Sequence, residues 1–286
     1  MCMGCRAAPE AVPPRKPHLA SADSVHKPAA LLPHGFLTHT FSECVENHTG
    51  MQTIGTKRER GLAAEEIEKN AAKYDGAVVH ELGDATLDTP RANVVVFPSA
   101  VQRLLGIEGA DALLAESVSK SFDDRFLNTR RKVVQRKHGR LNNCYADEAQ
   151  PPDIANGKGT VHAFSDSPLL ASLRAKLPDL LGSEAAQLFA ETNYYTDVRR
   201  SEVGIGFHGD TERSVVIGVR LGASSMPLKF QWFTQTKPIG KERSIALKNG
   251  DVYAMSWKAT GHDWRSRTLK TLRHGVGRKA KVKNLA

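Results

Sequence analysis

An imidazole and a carboxylate stand two residues apart in Gly206-Phe207-His208-Gly209-Asp210-Thr211-Glu212. In an extended run, side chains at i and i+2 leave the same face, so His208 and Asp210 are expected to point together into whatever the sheet encloses. Imidazole plus carboxylate, completed by one later histidine and leaving open positions, suits non-haem Fe(II) and oxygen chemistry. A His-x-Asp triplet by itself is equally a solvated turn, and the surrounding chain decides between the two.

The elements around the triplet read as short strands. Thr192–Thr196, Val203–Phe207, Ser214–Leu221, Leu228–Phe233, Ser244–Leu247 and Val252–Ser256 follow one another, with Gly222, Pro227, Pro238, Gly240 and Gly250 in most of the gaps. Strands at this spacing imply a sandwich or barrel, and a double-stranded β-helix (jelly roll) has an interior in which a small metal site is buried. Ahead of them, Gly61–Tyr74 and Val101–Leu114 read as helices, Ala92–Phe97 as a strand, and Leu169–Leu181 with Ser183–Glu191 as one or two further helices. The fold class is therefore mainly β with flanking helices (α+β).

Residues 1–58 read as an extension. Ala8–Pro33 is rich in Ala and Pro, and Thr49–Arg60 in Gly, Thr and Lys, with little apolar periodicity, so disorder is expected. The domain is expected over 59–286, with helices, a strand and a basic region in 59–190 and the jelly-roll core in 191–286.

The chain has 286 residues, 40% hydrophobic content and a formal net charge of +9. That is enough for a substantial core, and no apolar run is long enough to span a membrane. Cys2, Cys5, Cys44 and Cys144 are scattered and no secretory segment is evident, which favours a reducing intracellular compartment. Nuclear or cytoplasmic placement follows, with organellar targeting by the extension as an alternative. The positive charge is concentrated: Arg125–Arg140 holds seven Lys or Arg and no acid, and the stretch from Trp264 to the end holds eight and no acid. Such blocks point to a polyanionic partner, nucleic acid first, or to a solvated basic face.

The order Asn193-x-Tyr195, His208-x-Asp210, Val216-Ile217-Gly218-Val219-Arg220-Leu221-Gly222, Leu247-x-x-Gly250-Asp251-Val252-x-x-Met255-Ser256, then a late histidine and paired arginines, resembles the AlkB family of Fe(II)/2-oxoglutarate dioxygenases. The resemblance covers residues 191–286, and the basic segment before them occupies the place of that family's substrate-recognition lid. It implies His208 and Asp210 as the first two iron ligands, with a downstream histidine as the third. His262, 12 residues after Gly250, leaves room for one further barrel strand and is preferred on that ground. His274, in Leu272-Arg273-His274-Gly275-Val276, is the rival.

The resemblance further implies that Arg273 and Arg267, six apart, grip 2-oxoglutarate with the help of Asn193 and Tyr195; Leu269 stands where the family has an asparagine. A guanidinium fork suits the distal carboxylate. The activity implied is oxidation of a substrate C–H bond by O2, with 2-oxoglutarate converted to succinate and CO2. In the AlkB-like case a methyl group on a flipped-out base is hydroxylated and leaves as formaldehyde. Glu212 corresponds to a base-contacting acid, or equally pairs with Arg213. Tyr145, Trp232, Trp257 and Trp264 are candidates for stacking, and Arg130, Arg131, Lys132, Arg136, Lys137 and Arg140 for holding phosphates. Two other classes stay open: a protein hydroxylase or demethylase with the same iron centre, and a non-catalytic nucleic-acid-binding relative.

Overall fold

A computed structural model describes residues 32–224 and 226–277. Early in the chain come β1 (Phe36–Ser42), β2 (Cys44–Glu46), β3 (Thr53–Gly55), helix α1 (Ala64–Ala71), β4 (Val78–Glu81) and β5 (Asn93–Phe97). Helices α2 (Ala100–Leu105) and α3 (Gly109–Val118) follow, then a hairpin of β6 (Arg125–Asn128) and β7 (Val133–Arg136), then β8 (Leu141–Ala146), β9 (Val161–Ala163) and helix α4 (Pro168–Leu181). The remainder is β10 (Phe189–Tyr195), β11 (Ile205–His208), β12 (Val216–Leu221), β13 (Leu228–Thr234), β14 (Lys237–Ile245), β15 (Val252–Met255) and β16 (Lys270–Val276).

Two main sheets form. The large one has the order β4-β5-β15-β12-β1-β10-β8-β9 and the small one β11-β16-β13-β14. Period-2 alternation sends successive side chains of the large sheet into two different cores. Val95, Phe97, Leu37, Phe41, Ile217 and Val219 pack against the helices through Leu113, Leu114, Leu173 and Leu177. Val94, Val96, Phe36, Val216, Tyr253 and Met255 pack against Leu228, Phe230, Trp232, Leu272 and Val276 of the small sheet. The result is three layers: helices, large sheet, small sheet.

One strand corrects the sequence reading. The extension expected to be disordered contains β1, which pairs antiparallel with β10 on one side and β12 on the other. It lies inside the large sheet, buried on both faces. Residues 43–58 are built in as well: Glu43 accepts from the backbone N–H of Ser214 at 2.6 Å and of Val215 at 2.9 Å, and Lys57 Nζ donates to the Thr211 carbonyl at 2.7 Å. Residues 1–31, with Cys2 and Cys5, and the basic tail after residue 277 lie outside the described residues.

Smaller differences have local causes. The helix expected over Val101–Leu114 is broken at Gly106 (φ 98°), a conformation that favours glycine, giving α2 and α3. The stretch expected as helix after Ser183 is a single 3-10 turn, Ser183–Ala185, leading into β10. Trp232 is part of the inter-sheet core, its indole N–H donating to the Leu82 carbonyl at 2.6 Å, so it is not a stacking platform. Gly218 is required by packing: a Cβ there would lie 2.0 Å from the Tyr253 ring.

His39 locks β1 in place. Its Nδ1 meets Thr192 Oγ1 of β10 at 2.7 Å and its Nε2 meets Ser117 Oγ of α3 at 2.9 Å. Burial holds its pKa down to about 3. The unfolded chain takes up a proton near pH 6.5 that the folded chain refuses until about pH 3, so stability falls as pH drops through this window. The cost by pH 5 is roughly 2 kcal/mol. Denaturant unfolding of His39→Gln is expected to lose that part of the difference between pH 7 and pH 5; an unchanged difference would place the acid sensitivity elsewhere.

Candidate metal centre

His208 closes β11, and Asp210 lies just beyond it in the loop, held by its backbone N–H donating to the Thr260 carbonyl at 2.9 Å. Gly209 between them is obligatory: a Cβ would lie 2.1 Å from the Gly261 carbonyl oxygen. The two side chains are therefore aimed by the close approach of the 257–266 loop as well as by strand alternation. The third group arrives by register. β16 pairs antiparallel with β11 so that His274 stands directly opposite His208, and residues opposed in this way share a face and meet side by side.

His208, Asp210 and His274 each present a ligand atom, all within 4.8 Å of one another. Asp210 Oδ1 is 3.6 Å from His208 Nε2 and 3.7 Å from His274 Nε2. These separations are too long for hydrogen bonds and suit donors gathered around a common centre. His208 Nδ1 is 2.8 Å from the Gly206 carbonyl; that contact fixes the tautomer and leaves Nε2 as the lone-pair donor. His274 Nδ1 is buried and has no hydrogen-bond partner among the described residues. Two imidazoles, one carboxylate and an adjacent open volume fit a divalent transition metal.

His262, preferred from the sequence as the third ligand, is elsewhere. Its ring stacks on Trp257 at 4.2 Å between centroids and 16° between planes, and Nδ1 is 3.0 Å from the Trp257 carbonyl. The preference rested on the need for a strand after the last ligand. β1 occupies the place between β12 and β10, so no later strand is needed.

The triad opens into a cavity of about 430 Å³ between the sheets, lined by Thr38, Asn193 and Tyr195 on one side and Leu228 and Val276 on the other. Asn193 and Tyr195 thus share the cavity with the triad. Arg273 does not: it alternates with His274 on β16 and faces the other side of the small sheet, its guanidinium 4.0 Å over Phe233 and donating to the Gln235 carbonyl at 2.8 Å. Arg267 is exposed in the loop before β16. Neither lines the cavity.

Glu212 lines it and also accepts from Arg213 Nε at 2.8 Å, which is the pairing reading of that residue. Arg213, named from the sequence only as a partner for Glu212, is buried beside the triad, 2.8 Å from Glu191 and 3.9 Å from Asp210. Burial opposes its charge, and the carboxylates of Glu212, Glu191 and Asp210 outweigh that effect and hold its pKa well above the ordinary value. Glu46 is another addition to the wall; burial, then repulsion from Glu212, raises it to about 7.

A second, open cavity of about 470 Å³ adjoins the first and shares His48 and Arg140 with it. Arg136, Lys137 and His138 line it, together with Phe126, on which His48 stacks at 3.7 Å. Burial lowers Lys137 to about 8. Of the other expected phosphate-binding residues, Arg130, Arg131 and Lys132 are exposed at the turn of the β6–β7 hairpin, outside this groove. Tyr145 is a correction: it belongs to the core under the helices, against His162 and Phe164, and does not reach the cavity.

The chain is 36% identical over 249 residues to an uncharacterized protein, R156, of Acanthamoeba polyphaga mimivirus. The match takes in 84% of this chain and 95% of the viral protein. The chain belongs to the R156 family. A match of 249 residues extends well beyond the 96 residues from 191 to 286, so kinship with R156 takes in part of the chain ahead of the motif-bearing stretch. The chain matches no protein-family model. No helix among the described residues is long and apolar enough to cross a membrane, and Cys44 and Cys144 are buried free thiols.

Proposed function

We propose that this protein is an Fe(II)/2-oxoglutarate-dependent dioxygenase of the AlkB-like type, with a double-stranded β-helix core, acting on alkylated bases in nucleic acid. The observation that carries the reading is the His208–Asp210–His274 cluster opening into a cavity that continues into a basic groove. The β-helix reading is supported by the path of the chain. It passes from the large to the small sheet between β10 and β11 and returns at β12, crosses again to β13 and β14, returns at β15 and crosses once more to β16. β1 completes the large-sheet half between β10 and β12.

Iron with 2-oxoglutarate and O2 would supply oxidation of a C–H bond, with succinate and CO2 as co-products. The chain's own part is placement. His208, Asp210 and His274 would hold the metal on one side, leaving the cavity side for co-substrate and substrate. Arg213 pairs with Glu191 and lies beside Asp210, placing one positive charge between the two carboxylates. Arg136, Lys137 and Arg140 would neutralise backbone phosphates at the groove, while a base enters the adjoining cavity past His48 and Phe126.

The test is succinate formation from 2-oxoglutarate by the iron-loaded protein in air, with methylated single-stranded oligonucleotides as substrate and formaldehyde as the second product. Oligonucleotide affinity should fall steeply with salt, and Arg136→Gln should reduce the log–log salt slope by about 1. Affinity should also fall from pH 6.5 to 8.5, because Glu46 gains charge through about 7 and Lys137 loses it through about 8. Turnover with salt-insensitive substrate binding would favour the protein side-chain reading, and absence of metal binding would remove the enzyme reading.

A further inference from the structure

Two rims of positive charge flank the triad, and the short strand β11 sets the distance between them. Gly204, just before β11, donates its backbone N–H to the Gly139 carbonyl at 3.0 Å, and a Cβ on Gly139 would lie 2.6 Å from the Gly204 carbonyl oxygen. Gly139 belongs to the wall of the basic groove, with Arg136 and Lys137. At the other end of β11, Gly209 packs against the 257–266 loop, where a Cβ would lie 2.6 Å from Trp264 Cδ1. That loop leads into Arg265 and Arg267, both exposed, and Arg265 also lines the cavity.

The second rim is built in place. The backbone N–H of Trp264 donates to the Gly261 carbonyl at 2.9 Å and that of Ser266 to the Asp263 carbonyl at 2.8 Å, while Arg273 Nη2 reaches the Trp264 carbonyl at 3.4 Å. The Arg265 guanidinium lies 5.6 Å over the Trp264 ring, within cation–π range. Asp263, the one acid in residues 257–269, is paired with Lys258, so the loop does not neutralise its own arginines. Between the rims the cavity wall carries Glu46, Glu191, Asp210 and Glu212, and Arg213 among them is committed to Glu191 and Glu212, each at 2.8 Å. Cations at both ends with carboxylates in the middle favour phosphates on either side and repel them from the centre.

We infer that a single nucleic-acid strand crosses the cavity mouth along β11, its phosphates held by Arg136 and Lys137 on one side and by Arg265 and Arg267 on the other. The target is then an internal nucleotide with neighbours on both sides, and a lone nucleotide is a poor ligand. The inference rests on the nucleic-acid reading above and adds a path and a footprint to it. Gly204 and Gly209 are five residues apart, about 16 Å at about 3.3 Å per residue of strand. At about 3.4 Å per stacked nucleotide that is a run of about five, and fewer where the backbone is drawn out around a flipped base.

The experiment is fluorescence-anisotropy titration of the full chain with end-labelled oligothymidylates, from the dinucleotide to the ten-mer, at several salt concentrations. In wild type the log–log salt slope should steepen with length and level off at about five nucleotides. Arg265→Gln combined with Arg267→Gln should level off at about two to three nucleotides and lose about 1.4 of slope on the ten-mer, at about 0.7 per phosphate of a single strand. Both side chains are exposed, so the thermal unfolding of this variant should match wild type. A slope and a levelling length equal to wild type in that variant, with Arg136→Gln still reducing the slope, overturns the crossing path and leaves the nucleic-acid reading standing. Wild-type affinity that does not respond to salt at any length overturns both.

Discussion

His274→Ala is expected to weaken divalent-metal binding by at least about a hundredfold, because removing one of three donors leaves a two-point grip. His262→Ala should bind metal within about twofold of wild type and lose the ring packing on Trp257 and the contact with its carbonyl, a stability effect on the order of 1 kcal/mol. Mn(II) titration followed by electron paramagnetic resonance distinguishes them without requiring turnover. The structural reason is the cross-strand pairing of His208 with His274, whose ring centroids are 4.5 Å apart, against the separate stacking of His262. Metal binding lost in His262→Ala and kept in His274→Ala would mean that β11 and β16 pair in a different register.

A chain beginning at residue 59 is expected not to fold. It would lack β1, whose Phe36, Leu37 and Phe41 are each fully buried, Phe36 in the core between the sheets and the other two under the helices. Burial of three such side chains contributes roughly 5–9 kcal/mol, a large part of the 5–15 kcal/mol that separates folded from unfolded states of ordinary domains. The loss also strips β10 and β12 of a shared partner and removes Glu43, which caps the backbone N–H groups of Ser214 and Val215 next to the triad. Thermal unfolding followed by circular dichroism should show a cooperative transition for the full chain and none for residues 59–286. A cooperative transition in the shortened chain would show β1 to be dispensable.

These two expectations mark where the sequence reading stopped. β1 was illegible because Phe36-Leu37-Thr38-His39-Thr40-Phe41-Ser42 has no clean alternation of apolar and polar residues. It is buried on both faces, and its His39 is satisfied only by residues 153 and 78 positions away in the chain, Thr192 of β10 and Ser117 of α3. The third member of the cluster was legible as a choice of two histidines and no further, since only register brings His274 across from His208. The argument from strand count then pointed to His262, because a linear reading places the closing strand late in the chain.

The sequence by itself determined the local chemistry: the His208-x-Asp210 pair, Asn193 and Tyr195 two apart on one strand face, the mainly β character of the second half and the basic block before it. Each of these depends on residue type and on spacings of one to a few residues, which backbone geometry converts directly into a shared face. Tertiary structure alone decided which histidine completes the cluster, that Arg267 and Arg273 lie outside the cavity, and which strand fills the large sheet. Those are matters of register and strand order, set by burial over contacts far apart in the chain. A one-residue alternation turns Arg273 away from the cavity while its neighbour His274 faces in.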